Sequence, residues 1–265
     1  EWYTPEPATL ESLQRVHTRD YVHAFVHGQL DRAAQRRSGF VWSEALVQRV
    51  RLETGGTLLT LEAALATGLA CNSAGGTHHA HADAASGYCL INDLAVAAAH
   101  ALAQGWAERV LIVDCDVHQG DGTARLFEKV PGVFTLSMHA ARNFPARKAK
   151  SDLDIALPNG MQDAAYLAEL TSWLPGVLAA YQPDVVLYDA GVDVHHDDRL
   201  GYLSLSSDGL YARDHYVLKL CREAAIPVAA VIGGGYDRDI IALAARHAQL
   251  HRAAADVLAA YPRFD

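Results

Sequence analysis

The early part of the chain has the hydrophobic spacing of helices. Apolar residues recur three and four positions apart from Leu10 to Leu30 and from Ser43 to Leu69, and the second stretch is rich in Leu and Ala. Both stretches are therefore predicted to be helices. A third Ala- and Leu-rich helix is predicted from about Asn92 to Gln104, with Asn92 or Asp93 as its N-cap.

After Gly105 the pattern changes to short, continuous apolar runs. Such runs are typical of strands buried on both faces of a parallel sheet. They extend over Arg109 to Val113, Val133 to Ser137, Asp184 to Tyr188 and Pro227 to Ile232. Helical stretches from Ala164 to Tyr181 and from Gly209 to Ala225 separate the later runs. This alternation predicts an α/β fold in which a mostly parallel sheet has a helical layer on each face, a three-layer α/β/α architecture.

Polar and Gly residues follow each apolar run directly. These clusters are Asp114 to Gly122, Met138 to Asn143, Asp189 to Asp198 and Gly233 to Asp237. Because ligands of open α/β sheets bind beyond the carboxyl ends of the strands, we expect all four clusters to meet in one pocket.

Composition narrows the class of protein. With 265 residues, 51% of them hydrophobic, the chain can bury a sizeable core, and residues 1–265 are predicted to form a single domain. No stretch reaches the roughly 18 uninterrupted apolar residues of a membrane span. The net charge of -9 and the lack of a basic run argue against direct nucleic-acid binding. The four cysteines form no CxxC pair and no signal peptide opens the chain, so a reducing, cytoplasmic location is expected.

Two carboxylates and an imidazole follow the run Arg109 to Val113. Side chains alternate faces along an extended strand, so Asp114, Asp116 and His118 point the same way. The alternative, that they are solvated loop residues, fits poorly because a strongly apolar run leads directly into Asp114. A buried carboxylate without a partner is costly, and a cation would compensate that cost. The segment therefore predicts a metal site.

Three other segments add candidate groups. Adjacent His78 and His79 lie in a Gly- and His-rich loop, Cys71 to Gly87, and suit proton transfer better than joint coordination of one metal. Asp193 could complete an Asp/His/Asp set with an open position for water. Tyr236 follows three glycines and could donate a hydrogen bond to a developing oxyanion. Taken singly, the His pair could be incidental and the Gly-rich turn could be structural. The three glycines do not form a phosphate loop, because no GK[ST] ending follows them.

In order along the chain, these segments resemble the motifs of the histone deacetylase family. The matching stretches read GGTHHA, SGYCLIND, VDCDVHQGDG, SDLDIALPNG, DAGVDVHHDDRLGYLSLS and GGGYDRD. The resemblance covers about residues 10 to 250 and favours the class IV and bacterial branch over the acetylpolyamine amidohydrolases. It implies the arginase–deacetylase fold, with a parallel sheet of about eight strands between helical layers. The opening strand and rim loop of the family are not recognisable before Glu1, so either the chain was trimmed there or its rim differs.

The resemblance implies two kinds of metal ion. Asp116, His118 and Asp193 would bind a catalytic zinc ion, although this ligand set also accepts Fe(II). A structural potassium ion would be held by side-chain and main-chain oxygens of Asp114, Asp116, His118, Ser137 and Met138.

The resemblance also implies catalytic and substrate-binding roles. His79, paired with Asp121, would be the general base and then the general acid. His78, paired with Asp114, would act electrostatically. Tyr236 would polarise the scissile carbonyl from the side opposite the metal. The acyl tunnel would be lined by Gly87 and by Tyr88, which stands where the family often has Phe. In one departure, Gln119 replaces a frequent second His after the metal-binding histidine.

The predicted function is zinc-dependent hydrolysis of an acyl–amide bond, with acylated lysine as the favoured substrate and a small acylated amine as the alternative. A two-metal ureohydrolase of the arginase type would need further carboxylates or a His near GGTHHA or Asp193, and none follows. A non-catalytic acyl-lysine-binding module is disfavoured because His79 and Tyr236 are both present. Nucleic acid and membranes are not expected partners, and acyl length and oligomeric state stay open.

Overall fold

The computed structural model describes residues 1–262 and contains one sheet of parallel strands. The strands are β1 (Leu69–Cys71), β2 (Val110–Asp114), β3 (Val133–Ala140), β4 (Leu153–Leu157), β5 (Val185–Asp189) and β6 (Val228–Val231). Their order across the sheet is β1-β6-β5-β2-β3-β4, which places β2, β5 and β6 side by side in its centre.

Helices cover both faces of the sheet. They are α1 (Leu10–Leu13), α2 (Arg19–Val26), α3 (Arg32–Ser38), α4 (Glu44–Thr67), α5 (Asp93–Gln104), α6 (Asp121–Phe127), α7 (Asp163–Tyr181), α8 (Ser207–Glu223) and α9 (Ile240–Ala260). In β2, Leu111 and Val113 pack with residues of α7, α8 and α9, whereas Val110 and Ile112 pack with residues of α4, α5 and α6. The sheet is thus buried on both faces, and the predicted three-layer architecture is confirmed.

The central strands were predictable because they are apolar on both sides. All five residues of β2 and all five of β5 are buried, and the predicted bounds differ from the observed ones by one residue. Two strands were missed. β1 has three residues and directly follows the left-handed Gly68 at the end of α4, and β4 is an edge strand in which only Ile155 and Leu157 are buried. Within residues 1–262 the sheet has six strands, not the expected eight or so.

The helix predicted from Leu10 to Leu30 is wrong as a single element. The structure ends α1 at Leu13 and starts α2 at Arg19, where the Thr18 hydroxyl accepts a hydrogen bond from the Tyr21 N–H and acts as N-cap. His17 lies in the break and is buried. Its Nδ1 is 2.8 Å from the His81 carbonyl, and its Nε2 accepts a hydrogen bond from the Asn92 N–H. The break therefore joins the first helices to the loop before α5.

The N-cap of α5 is Asn92, one of the two predicted candidates, whose side chain accepts a hydrogen bond from the Ala95 N–H at 2.9 Å.

All four cysteines are free thiols, as expected. Across residues 1–262, no helix combines the length and the apolar character that a bilayer crossing requires.

Candidate active site

The loops after four strands meet at the carboxyl edge of the sheet, as the sequence predicted. The Ala190 N–H donates to the Val231 carbonyl at 3.0 Å, and the Val192 N–H donates to the Gly234 carbonyl at 2.7 Å. These bonds join the segments after β5 and β6. The segment after β2 joins them because the Cys115 N–H donates to the Asp189 carbonyl at 3.0 Å. The segment after β3 is joined to the segment after β2 at Ala140, the last residue of β3, because the Ala140 N–H donates to the Val117 carbonyl at 2.9 Å.

Asp116, His118 and Asp193 are buried together where these loops meet. One donor atom from each residue lies within 4.8 Å of the other two. His118 Nδ1 is 3.0 Å from Asp116 Oδ1 and 3.0 Å from Asp193 Oδ2. The second oxygens are held by the main chain, because the Gly234 N–H donates to Asp116 Oδ2 and the Val117 N–H donates to Asp193 Oδ1. These bonds orient the remaining oxygen of each carboxylate toward His118.

The geometry and charge of this group fit a cation. A ring nitrogen carries at most one proton, so His118 Nδ1 can donate to only one of the two carboxylates, and Asp193 Oδ2 lacks a hydrogen-bond donor. Burial and the neighbouring Asp116 carboxylate raise the pKa of Asp193 to about 7. Burial lowers the pKa of His118, but the adjacent Asp116 and Asp193 carboxylates outweigh that effect and raise it to about 10. Two carboxylates and an imidazole can therefore hold a metal ion here.

His78 and His79 form a second buried group beside the first. His78 Nδ1 lies 2.7 Å from Asp114 Oδ2, and His79 Nδ1 lies 2.8 Å from Asp121 Oδ1. The two Nε2 atoms are 3.1 Å apart, and His78 Nε2 is 3.7 Å from Asp116 Oδ1. Each imidazole therefore has a carboxylate behind it and directs its Nε2 toward the candidate metal ligands.

The two histidines differ in electrostatic environment. Burial lowers the pKa of His78, but the Asp114 and Asp116 carboxylates outweigh it and hold that pKa well above the usual value. Burial and the charge of His78 lower the pKa of His79 to about 3, although Asp121 acts in the opposite direction. His79 is thus a neutral imidazole that donates its Nδ1–H to Asp121 and keeps a lone pair on Nε2. A neutral imidazole with a lone pair on Nε2 can accept a proton, which is the first condition for a general base.

Asp93 holds the loop that carries the two histidines. It is completely buried, and its Oδ1 accepts hydrogen bonds from the main-chain N–H and the hydroxyl of Thr77 at 2.8 and 2.7 Å. Its Oδ2 accepts a further bond from the Thr57 hydroxyl of α4 at 2.6 Å. The sequence offered Asp93 only as an N-cap candidate, since a helix start gives no sign of a contact with a loop sixteen residues earlier.

Tyr236 lies beside His118, in the segment after β6.

 Its ring centroid is 6.2 Å from that of His118, at an interplanar angle of 82°. The Tyr236 N–H donates to Asp198 Oδ2 at 2.6 Å, which fixes the backbone at this position. Burial and the Asp116 carboxylate raise the pKa of Tyr236 far above its usual value, so the phenol keeps its proton and remains a hydrogen-bond donor.

Aromatic rings form the entrance to the site. Gly87 has a φ of +51°, and a Cβ at this position would lie 2.4 Å from His79 Cδ2, so a side chain is not tolerated there. Tyr88 is 52% exposed, and its ring centroid is 6.0 Å from that of Tyr236. Phe144, which the sequence reading missed, packs its ring at 88° to His79 with the centroids 4.8 Å apart. Phe144 directly follows the polar cluster that the sequence predicted after β3, and this position could have marked it as a candidate site residue.

Gln119 links this entrance to the sheet. The side chain is completely buried, and its amide nitrogen donates to Asp154 Oδ1 at 2.7 Å and to the Ala149 carbonyl at 3.0 Å. Its oxygen accepts a hydrogen bond from the Ala149 N–H at 2.7 Å. The segment between β3 and β4, which includes Phe144, is therefore tied to the segment that carries His118.

The residues predicted to bind potassium lie at the ends of β2 and β3. Asp114 and Ser137 are register partners on these neighbouring strands, and Met138 follows Ser137. Asp114 Oδ1 accepts a hydrogen bond from the Asp116 N–H at 3.1 Å, and the Ser137 hydroxyl is 3.0 Å from His139 Nδ1. The side chain of Met138 is buried in the core, so only its main chain can serve as a ligand. Potassium binding stays a prediction.

The match of the chain to a protein family decides how this site is classified. Residues 1–251 match the family model described as the histone deacetylase domain. The chain belongs to the histone deacetylase family. The resemblance drawn from the sequence motifs is thereby confirmed.

Bacterial proteins are among the relatives of this histone deacetylase family member. An uncharacterized protein of Picosynechococcus sp. is 52% identical over 255 residues, which cover 96% of this chain and 85% of that protein. The acetoin utilization protein AcuC of Staphylococcus aureus is 30% identical over 253 residues, which cover 87% of this chain but 65% of AcuC. These relatives support the bacterial branch of the family.

A solved structure supports the fold assignment. The crystal structure of an HDAC homolog complexed with SAHA superposes with a TM-score of 0.81 and 27% sequence identity. The match covers 98% of this chain and 72% of that homolog. The arginase–deacetylase fold class that the motifs implied is therefore confirmed.

Proposed function

We propose that this family member is a zinc-dependent deacylase that hydrolyses the acyl–amide bond of acylated lysine. The proposal rests on one observation, the meeting of the Asp116, His118 and Asp193 group with two carboxylate-paired histidines at the base of an aromatic entrance. Family membership supports deacetylase chemistry, and the SAHA complex of the structural relative supports an acyl-amide substrate.

Each group has a defined task in this proposal. A zinc ion held by Asp116, His118 and Asp193 would supply Lewis-acid polarisation of the scissile carbonyl and lower the pKa of the attacking water. His79 accepts a proton from that water at Nε2, because its Nδ1–H is committed to Asp121. The same nitrogen then returns the proton to the departing lysine amine.

His78 and Tyr236 stabilise the charge that develops on the substrate. Protonated His78, held by Asp114, places positive charge beside the reacting centre. The Tyr236 phenol remains protonated and donates a hydrogen bond to the developing oxyanion. The rings of Tyr88 and Phe144 suit the aliphatic part of an acyl-lysine side chain, which they can contact without a polar partner.

The two-metal ureohydrolase alternative has weaker support. Among residues 1–262, two other groups could hold a metal ion, His78 with Asp114 and Asp189, and His195 with His196 and Asp197. Neither group shares a ligand with Asp116, His118 and Asp193. A two-metal hydrolase places its ions about 3.5–4 Å apart between shared ligands. One catalytic metal therefore fits this site better than a pair.

The four free cysteines support a reducing, cytoplasmic location. The proposed partner there is an acylated lysine of a peptide or protein, and a small acylated amine is the second candidate substrate. The test of the function must therefore distinguish acylated lysine from a small acylated amine.

A panel of lysine peptides acylated with groups from acetyl to myristoyl tests the proposed function. The zinc-loaded protein is expected to release free lysine amine from at least one of them, and SAHA is expected to inhibit that release. His79→Asn should be inactive because no base remains, whereas the exposed His23→Asn of α2 should retain the parent's activity.

Three results would contradict the proposal. Tight binding of acyl-lysine without turnover would favour the binding module. Inhibition by boronic amino acids together with hydrolysis of a guanidine would favour the ureohydrolase. Turnover of acylated polyamines alone would move the substrate from lysine to a small amine.

A further inference from the structure

Arg213 is the largest completely buried side chain among the described residues. It lies on α8, outside the residues that the sequence motifs assigned to the site. A buried guanidinium is unfavourable unless its N–H groups are bonded. The groups that accept these hydrogen bonds therefore indicate what the residue does.

The guanidinium bonds to the main chain of both loops that carry the proposed metal ligands. Nη1 donates to the Gly191 carbonyl at 2.7 Å and to the Cys115 carbonyl at 3.2 Å. Nη2 donates to the Ala190 carbonyl at 2.8 Å. Cys115 immediately precedes Asp116, and Gly191 is two residues before Asp193. One side chain thus holds the segments after β2 and β5 together.

The remaining contacts keep the guanidinium in place. Nε donates to Asp214 Oδ1 at 2.9 Å, and the same oxygen accepts a hydrogen bond from the Tyr188 hydroxyl of β5 at 2.6 Å. The two loops are also in close contact, because a Cβ on Gly191 would lie 2.6 Å from Asp116 Oδ2. A small shift of either loop would therefore change the separation of the Asp116 and Asp193 carboxylates.

We infer that Arg213 is a positioning residue for the metal site, setting the spacing of Asp116 and Asp193 through the main chain of their loops. The inference rests on the metal site proposed above. The planar fork of arginine reaches three carbonyls at once, whereas the single ammonium group of lysine lacks that geometry. Residues that orient metal ligands typically change metal affinity about 10- to 100-fold when replaced.

The chain supplies a matched control on the same helix. Arg222 is also buried on α8, but it donates to the Tyr261 carbonyl at 3.0 Å and to the Thr67 carbonyl at 3.1 Å. Thr67 precedes β1 and lies at the amino edge of the sheet, away from the metal site. Arg222→Met therefore removes a buried arginine without touching the loops that carry Asp116 and Asp193.

The test compares Arg213→Met, Arg213→Lys and Arg222→Met with the parent. The zinc dissociation constant is measured by competition with a chelator, the Co(II) absorption spectrum reports ligand geometry, and thermal unfolding of the metal-free proteins reports stability. Arg213→Met is expected to weaken zinc binding about 10- to 100-fold and to alter the Co(II) spectrum. Arg222→Met should lower the melting temperature while leaving the zinc constant and the spectrum unchanged.

Arg213→Lys keeps the inference testable if the methionine variant fails to fold. A folded lysine variant is expected to bind zinc more weakly than the parent. Parent-like zinc affinity and Co(II) spectra in a folded Arg213 variant would overturn the inference and leave Arg213 a residue of stability only. Because zinc binding is read without substrate, a parent that binds zinc but hydrolyses nothing would contradict the proposed function and not this inference. A parent that binds no zinc would overturn both.

Discussion

Asp193→Ala is expected to bind little zinc and to lose all measurable deacylase turnover. The substitution removes one of three proposed ligands, the carboxylate whose Oδ2 faces His118 Nδ1 at 3.0 Å. The remaining Asp116 and His118 provide too few protein ligands for a catalytic zinc site, which normally has three. Metal analysis of the purified variant and amine release from an acyl-lysine peptide measure the two effects.

Two further variants separate metal loss from misfolding. Asp193→Asn keeps an oxygen for the Val117 N–H, so it should retain the fold while its zinc affinity falls. Asp208→Ala removes an exposed carboxylate at the start of α8 and should keep both zinc and turnover. Full zinc occupancy and normal turnover in Asp193→Ala would remove Asp193 from the ligand set.

Tyr236→Phe is expected to lower kcat by about 100- to 1,000-fold, the usual effect of losing one oxyanion donor. The phenylalanine ring preserves the packing against His118 and Tyr88, so substrate should bind nearly as well. Because the lost hydrogen bond is stronger in the transition state than in the ground state, kcat and kcat/KM should fall together while KM stays near the parent's. Steady-state kinetics on an acyl-lysine peptide measures these values.

Zinc content is determined in parallel, because a loss of metal would mimic the loss of the phenol. Tyr202→Phe is the matched control, since it removes the hydroxyl of an exposed tyrosine in the segment after β5. It should keep the parent's kcat. An unchanged kcat with a raised KM in Tyr236→Phe would make Tyr236 a substrate-positioning residue.

The sequence predicted the parts of the fold whose burial is uniform. β2 and β5 are buried along their whole length, so their apolar runs are recognisable without neighbours. β1 and β4 were not predictable in this way, because β1 is very short and β4 alternates at the sheet edge. The first predicted helix failed because Thr18 caps a new helix in mid-pattern, a local event that apolar spacing does not register.

The residues of the candidate site were likewise predicted only in part. Ordered motifs brought attention to Asp116, His118, Asp193 and the His pair, and the structure places these groups together. Phe144 and Arg213 were missed because their importance depends on contacts with residues far along the chain. Arg213 bonds to the Cys115 carbonyl across 98 positions of sequence, and a main-chain acceptor leaves no mark in the amino-acid pattern.

Zinc back-titration of the metal-free protein tests whether deacylase turnover depends on zinc at the Asp116, His118 and Asp193 site. A chelator removes the metal, zinc is returned in steps, and lysine amine release from an acyl-lysine peptide is followed at each step. The proposed zinc dependence predicts that activity disappears with the metal and rises in proportion to added zinc until one ion is bound per chain, with no recovery in Asp193→Ala. Amine release at the parent's rate from the metal-free protein would contradict it.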